Sequence, residues 1–583
     1  MKRIHYLEML FMVLITFSIA SCSDKNDNDD SSGITGQTWS TNETIAIPSG
    51  NKLTVSFTAN GKWTAKSGAD WCRISPTSGE SGKNTLEISA IGSTTIARTT
   101  SVVVKVDGNK SYSIFNVKQN IGGGESEDAS VNAQVDAYLK KNYLWNEEYK
   151  TLTPNFSLSY DEFLTQTLMG MTTNTLDKKS YLGGDGKTYY SLFSNIFKKS
   201  NIASARSATQ IPKEKEYNFG ITGVMPVQYT EQGDIFIEIQ GVYTGSSAAA
   251  QGLKRGYRIY YINNQKITLD NYSEKSYTLV SPSSSFTLQV ADKDKKAVTI
   301  SSAPIFVNPV ILAKVVEKGN NKIGYLVYSG FDAGFDEELF NVFKEFKSQG
   351  VTDLILDLRY NLGGHVISAD LISSCIAGTA CKGKIFMQYR YNKERMKSYP
   401  TGYNPINFSY DSYVNLNNIS LSAGALNLNR LYCLVSWNTA SASELVINSL
   451  RGIDIPVTLI GETTRGKNVG MEPIDITVNG NTYELAPITF QSYNAKNYGD
   501  YEKGFTPNYV MDEADIDGDG YFDKYPEYAT DEEPLFNKAV SLITGEAPLA
   551  LKAKRTSRGG GAMKALPIPN SKRIGMIKLA ESK

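Results

Sequence analysis

Two side chains within residues 431–467 have the types and spacing for acyl-transfer chemistry, Ser441 and Lys467. Residues 431–437 form an apolar, β-branched-rich run that reads as a buried strand. A small-residue turn through Ser441 follows, then a helix-like stretch over 445–450. A second strand over 457–460 runs into a loop bracketed by Gly461 and Gly466, with Lys467 next. This layout sets Ser441 at a helix N-terminus, where free N–H groups and the helix dipole favour negative charge. A serine nucleophile and its oxyanion hole belong in such a place. The nucleophile needs a base, and the chain has two histidines, His5 and His365. His5 lies in a signal-like segment, so a Ser-His-Asp triad has only His365 to use. The other solution is a lysine kept neutral by burial, for which Lys467 is placed. Against both stands the plainer reading, a capping Ser441 and a surface Lys467.

The elements that must position these residues read as alternating strands and helices. Residues 323–328 form a strand, and 335–349 an amphipathic helix carrying Leu339, Phe340, Phe343 and Phe346. The apolar strand 351–358 delivers a loop from Arg359 to Gly364. Such α/β cores carry their chemistry on loops after strands. Gly363 and Gly364 suit a place where backbone approaches a substrate carbonyl. His365 reads as their neighbour, with the role of base kept as a rival.

Three motifs add a resemblance. Thr439, Ala440, Ser441, Ala442, Ser443 and Glu444, followed by Gly461 to Lys467, resemble the Ser-Lys signature of the carboxyl-terminal processing (tail-specific) serine proteases. Asp357, Leu358, Arg359, Asn361, Gly363 and Gly364 resemble that family's Asp-Leu-Arg-x-Asn-x-Gly-Gly loop. The resemblance implies Ser441 as nucleophile, Lys467 as general base, and the amides of Gly364 and Ala442 as oxyanion hole. It also implies an α/β core of the crotonase-like type over 304–545. One residue departs from the pattern: Met471 stands where many members have a glutamine that orients the lysine.

Residues 216–303 resemble a PDZ domain, with Tyr217, Phe219 and Gly220 at the carboxylate-binding loop and Gly245, Gly252 and Gly256 in a helix-turn-strand signature. Strand addition with capture of a chain-terminal carboxylate is the implied use, a purely structural role the alternative. Residues 128–200 read as the helical segment that precedes it, and the polar 200–215 stretch as a connection. Residues 37–121 alternate polar and apolar positions between turn signals such as Asn60 and Gly61, which argues a small β-sandwich. It resembles a BACON-type immunoglobulin-like module. A glycan contact through Trp63 and Trp71 is open beside a core role for both and a spacer role for the module.

Residues 1–21 read as a lipoprotein signal, with Lys2 and Arg3 ahead of an apolar run, and Ile19, Ala20, Ser21 and Cys22 resemble a lipobox. Cys22 would then carry a lipid, and the acidic 22–36 stretch would be its tether. The expected location is the bacterial cell envelope, on an outer membrane facing periplasm or surface. Zero formal net charge, with both signs mixed, leaves no basic footprint for nucleic acid. No later apolar run has the length of a membrane-spanning helix. Of five cysteines, Cys72, Cys375, Cys381 and Cys433 remain after Cys22, and buried unpaired thiols are expected, though Cys375 and Cys381 are spaced for a bond. Asp515, Asp517, Asp519 and Asp523 have calcium-loop spacing, but position twelve is Pro526, so an acidic surface turn is an equal reading and no metal or cofactor is assigned. Residues 546–583 read as a disordered basic tail.

The fold class is therefore multidomain: an N-terminal β-sandwich, a short helical segment, a PDZ domain and an α/β protease core. The expected function is an exported, lipid-anchored serine endopeptidase that captures the C-terminal segments of proteins or peptides. The alternative is a catalytically silent surface lipoprotein that binds glycan or peptide.

Overall fold

The computed structural model describes residues 33–40, 42–47, 53–90, 98–108, 112–119, 127–182, 188–199, 211, 213–229, 233–399, 401–516, 518–547, 562–566 and 575–577. The signal, Cys22, most of the tether, the glycine linker at 122–124, Asp517 and most of the 200–215 connection lie outside them. The chain divides into two compact units, 1–126 and 127–583.

In the first unit, alternation becomes two packed sheets. One orders Ile34–Thr35, Leu53–Ala59, Gly82–Ala90 and Cys72–Ser75; the other orders Thr44–Ile47, Ser113–Gln119, Arg98–Val106, Trp63–Ser67 and Ser78–Gly79. Every second residue of Leu53–Ala59 and Ser113–Gln119 is buried, as a half-exposed strand requires. Trp63 is 1% exposed and packs edge-on against Phe57, so it is a core residue and no sugar platform. Trp71 is half-buried beneath the Arg98 guanidinium.

The second unit opens with helices Glu127–Asn142, Asn146–Tyr149 and Tyr160–Met169. The helical reading of 128–200 stops there. Lys178–Leu182 and Thr188–Leu192 form a hairpin, and Asn195–Lys198 pairs with Asn481–Ala486. The strand is set by a partner nearly three hundred residues away, which local pattern cannot reveal. Residues 215–306 form small antiparallel sheets in which helix Tyr272–Val280 packs on strand Ile221–Tyr229.

The main sheet orders Val310–Lys318, Asn321–Tyr328, Asp353–Asp357, Leu431–Val435, Val457–Gly461 and Tyr509–Val510. The first pair is antiparallel and the rest parallel. The central strands Asp353–Asp357 and Leu431–Val435 are covered on both faces and buried along their whole length. Leu326, Leu354, Leu356 and Cys433 face a core with helices Asp336–Ser348, Val366–Ala377 and Ala442–Gly452; Tyr325, Ile355, Leu434 and Ile460 face helix Pro534–Thr544. Among the described residues no helix is long and apolar enough to cross a membrane.

A second six-stranded sheet holds Gly363–His365, Gly575–Ile577, Val469–Met471, Ile488–Tyr493, Ile385–Tyr391 and Asn404–Asn407 in that order. The disordered-tail reading of 546–583 is corrected at two places, since Met563–Ala565 and Gly575–Ile577 pair as strands with earlier parts of the chain. Cys72, Cys375, Cys381 and Cys433 are all buried and unpaired.

Candidate active site

Strand Leu431–Val435 ends in a turn that helix Ala442–Gly452 leaves, and Ser441 is the hinge between them. Its backbone sits at φ 62°, ψ −112°, a conformation that costs a non-glycine residue about 1–3 kcal/mol. The surrounding turn holds it there. Thr439 Oγ1 donates to the Leu358 carbonyl at 2.8 Å, Ala440 N–H to the Asn361 carbonyl at 3.1 Å, and Ser443 Oγ to that same carbonyl at 2.9 Å. Ser436 Oγ donates to the Arg359 carbonyl. Ser441 is fully buried; its Oγ stands over the Glu444 N–H in a capping box, as a capping serine would, but makes no hydrogen bond of full geometry. An unpartnered buried hydroxyl at a strained turn is uncommon enough to require a reason.

Glu444, on the first turn of the helix, ties this turn to the Lys467 loop. Its Oε2 accepts from the N–H of Ser441 at 2.9 Å and of Lys467 at 2.8 Å. Its Oε1 accepts from Thr464 Oγ1 at 2.6 Å and from Gly466 N–H at 2.7 Å. Burial raises the carboxyl's pKa, and the hydrogen bonds from Thr464, Ser441, Gly466 and Lys467 work against that. Gly466 can be only glycine here: at φ 80° a Cβ would stand 2.3 Å from the Glu502 carbonyl oxygen. Lys467 is fully buried, with Nζ 4.5 Å from the centre of the Phe193 ring. Burial raises the pKa of Asp177, and bonds from Ser194 and Tyr143, with the neighbouring Lys467, work against that. Asp177 accepts from Tyr143 Oη at 2.7 Å, Ser194 Oγ at 2.6 Å, and the N–H groups of Phe193 and Ser194. Met471 is fully buried in an apolar cluster.

The structure thus joins the backbones of Ser441 and Lys467 through one carboxylate. It does not hydrogen-bond the lysine to the serine, since Ser441 Oγ has no partner. Catalytic hydrogen bonds often close only when substrate is present.

The third motif supplies the facing loop. Asn361 is fully buried; its Nδ2 donates to the Tyr328 carbonyl and its Oδ1 accepts from Gly363 N–H, both at 2.9 Å. Gly364 has φ 140°, and a Cβ there would lie 2.2 Å from the Phe331 carbonyl oxygen, so glycine is the one residue that fits. Ala442 opens the helix, where first-turn amides have no partner inside the helix. His365 Nδ1 accepts from Ala333 N–H at 3.1 Å and makes no bond to Ser441.

Behind the loop, Arg359 is buried in an ion network with Asp357 at 2.6 Å, Glu513 at 2.7 Å and Glu533 at 2.7 Å. Arg255, from the 215–306 region, reaches the same Glu513 oxygen at 2.7 Å. Asp357 belongs to the same motif, but Glu513, Glu533 and Arg255 come from remote parts of the chain and carried no sequence signal. Another feature that sequence reading missed is Arg465. Its guanidinium stacks 4.7 Å from the Trp437 ring, and its Nε and Nη2 are buried without a partner. Burial lowers its pKa to about 10. In the acidic turn, the Asp515 carboxylate accepts from the N–H groups of Gly518, Asp519 and Gly520. Among the described residues no cluster fit to hold a metal ion is present.

Residues 322–511 match the family model described as Peptidase family S41. Residues 39–122 match the model described as Viral BACON domain, in agreement with the sandwich. Over 242 residues the chain is 25% identical to "Carboxyl-terminal-processing peptidase 1, chloroplastic" of Arabidopsis thaliana, covering 41% of this chain and 45% of that protein. It is 22% identical over 328 residues to "Carboxyl-terminal-processing protease" of Synechocystis sp., covering 54% of this chain and 67% of the relative. The chain thus spans about half of the plant relative's length. A crystal structure described as a putative S41 protease from Bacteroides fragilis shares the fold, with a TM-score of 0.52, 24% identity, and coverage of 71% of this chain and 97% of that one. Ser441, Lys467 and the Gly363–Gly364 loop all lie within the residues that match this family model.

Proposed function

We propose that the protein is a serine endopeptidase of the carboxyl-terminal processing type, with Ser441 as nucleophile and Lys467 as general base. The observation that carries this reading is the strained, buried Ser441, whose hydroxyl makes no full hydrogen bond and whose turn is tied through Glu444 to the backbone of Lys467. In the first step Ser441 Oγ attacks the scissile carbonyl while neutral Lys467 takes its proton. The Gly364 and Ala442 amides hold the oxyanion. The C–N bond then breaks, Lys467 returns the proton to the leaving amine, and water hydrolyses the ester. In place of the glutamine that Met471 lacks, the Phe193 ring and the Asp177 carboxylate fix the lysine's surroundings.

The 216–303 region would act as a PDZ domain. Support comes from the Phe219–Gly220 turn, the strand Ile221–Tyr229 that follows it, and helix Tyr272–Val280 packed on that strand. A substrate end would add as a strand beside Ile221–Tyr229. Arg255 and Arg359 meeting on Glu513 give this region a direct link to the loop of Gly364. We place the protein in a bacterial envelope, anchored through Cys22, on the strength of residues 19–22 alone.

A peptide binder without catalysis is favoured by two observations, the buried Met471 and the lack of a hydrogen bond between Ser441 Oγ and Lys467. Peptides with a free or an amidated C-terminus separate the readings. The protease cuts the free form, and amidation raises KM; a binder holds the free form and releases it whole.

A further inference from the structure

The sheet beside the candidate site contains a strand from far down the chain. Gly575–Ile577 lies between Gly363–His365 and Val469–Met471, parallel to the first with Gly363 opposite Gly575, Gly364 opposite Met576 and His365 opposite Ile577. Its other side meets Met471. Backbone bonds on the far side of Gly363–His365 fix which groups face it. Phe331 N–H donates to the Gly363 carbonyl at 3.0 Å, and His365 N–H donates to the Phe331 carbonyl at 2.7 Å. Successive residues of a strand direct their peptide groups to opposite sides, so the N–H and C=O of Gly364 face Gly575–Ile577. In this parallel register the group set against the Gly364 amide is the Gly575 carbonyl. Helix Ala442–Gly452, which leaves Ser441, packs on the same strand.

A second contact is made a few residues earlier. Met563–Ala565 adds antiparallel to the free edge of Ile221–Tyr229, with Val227 opposite Ala565 and Tyr229 opposite Met563. Leu566 N–H donates to the Pro226 carbonyl at 2.8 Å, and Leu566 packs on the apolar cluster of Phe219, Ile221 and Leu279. One stretch of chain therefore occupies first the strand edge assigned to substrate capture and then the oxyanion strand.

We propose that strands Met563–Ala565 and Gly575–Ile577 are parts of the enzyme's own tethered substrate, the first on the capture edge and the second in the cleft, where Ser441 cuts between Gly575 and Met576. This rests on the proteolytic reading of Ser441. Ser441 Oγ bonds to the Gly575 carbonyl carbon as its proton passes to Lys467. The Gly575–Met576 bond breaks, and Met576 leaves as an amine with that proton. Water then cleaves the ester, giving a Gly575 carboxylate and a restored serine. Until the cut, the strand excludes other substrates from Gly364.

Four proteins starting after Cys22 test this: wild type, Ser441→Ala, Met576→Pro and a chain ending at Glu546, each assayed on denatured casein and by intact mass. Wild type should lose the residues after Gly575, Met576→Pro and Ser441→Ala should stay whole, and the shortened chain should cleave casein without the lag shown by wild type. In the Ser441→Ala background, amide exchange over 361–366 should quicken at least tenfold on shortening to Glu546, a readout independent of catalysis. Casein cleavage by wild type with its own mass unchanged, no lag and unaltered exchange overturns the inference and leaves the protease standing. Absence of Ser441-dependent casein cleavage from every form overturns both.

Discussion

Replacing Glu444 with glutamine keeps the side chain's shape and removes the acceptor that joins two turns. Each carboxylate oxygen takes two donors, Thr464 and Gly466 on Oε1 and Ser441 and Lys467 on Oε2. The new NH₂ group fits best toward Thr464, whose hydroxyl can turn to accept it. Gly466 N–H then faces a donor, which costs about 1–3 kcal/mol. The two bonds on the remaining oxygen lose their charge assistance, roughly 0.5–1.5 kcal/mol each. Relief from burying a charge offsets part of this, since burial holds the Glu444 carboxyl above its usual range. The net is about 2 kcal/mol, a fall in Tm of roughly 4–8 °C for a domain of this size. Ser441 and Lys467 would also shift relative to each other, and a displacement near 1 Å costs about 10²-fold in kcat. Calorimetry, peptide hydrolysis, and amide exchange at 441 and 466–467 read these together. Unchanged kcat and unchanged exchange at those amides would refute the role given to this carboxylate.

Ser441→Gly should stabilise the protein by about 1–2 kcal/mol relative to Ser441→Ala, because glycine takes φ 62° without strain, while both abolish hydrolysis; equal Tm values would show that the turn is unstrained. Asp336 accepts from Ser368, Tyr413 and Asn415, and burial raises its pKa to about 7. Since the folded value lies above the unfolded one, this group's stabilisation is complete below about pH 4 and is lost as pH rises through about 7. Asp336→Asn should flatten that decline by up to about 4 kcal/mol, read as denaturant midpoints at several pH values; an unaltered slope contradicts it. Arg465→Met should raise stability by on the order of 1 kcal/mol, since it removes a buried charge with two unpartnered nitrogens, and should raise KM for peptides; a lower Tm would contradict this.

The parts of the site that lie close together in sequence were legible there. The run from Leu431 through Ser441 to the Ala442 helix is one local unit of strand, turn and helix, so composition and spacing revealed it. The Gly363–Gly364 loop was legible for a similar reason, because steric demand leaves glycine no substitute beside Phe331. What escaped was non-local. Arg359 draws partners from Glu513 and Glu533, and Lys467 has as neighbours Phe193 and Asp177 from the 128–200 region, whose pattern reads as helical. Strands Lys178–Leu182 and Thr188–Leu192 are polar and tyrosine-rich, so no apolar alternation announces them. Met563–Ala565 and Gly575–Ile577 sit in basic, glycine-containing sequence whose strand character comes from the edges they join. Glu444 stood inside a recognised motif, yet its four donors come from residues up to 23 positions away and became visible only in the fold.

The central claim is a Ser441–Lys467 dyad, and the most direct test is hydrolysis of a denatured protein by wild type, Ser441→Ala and Lys467→Ala chains of confirmed fold. Cleavage by wild type alone is the predicted result. Cleavage that survives in Lys467→Ala and disappears in His365→Ala, or no cleavage by any folded form, would contradict it.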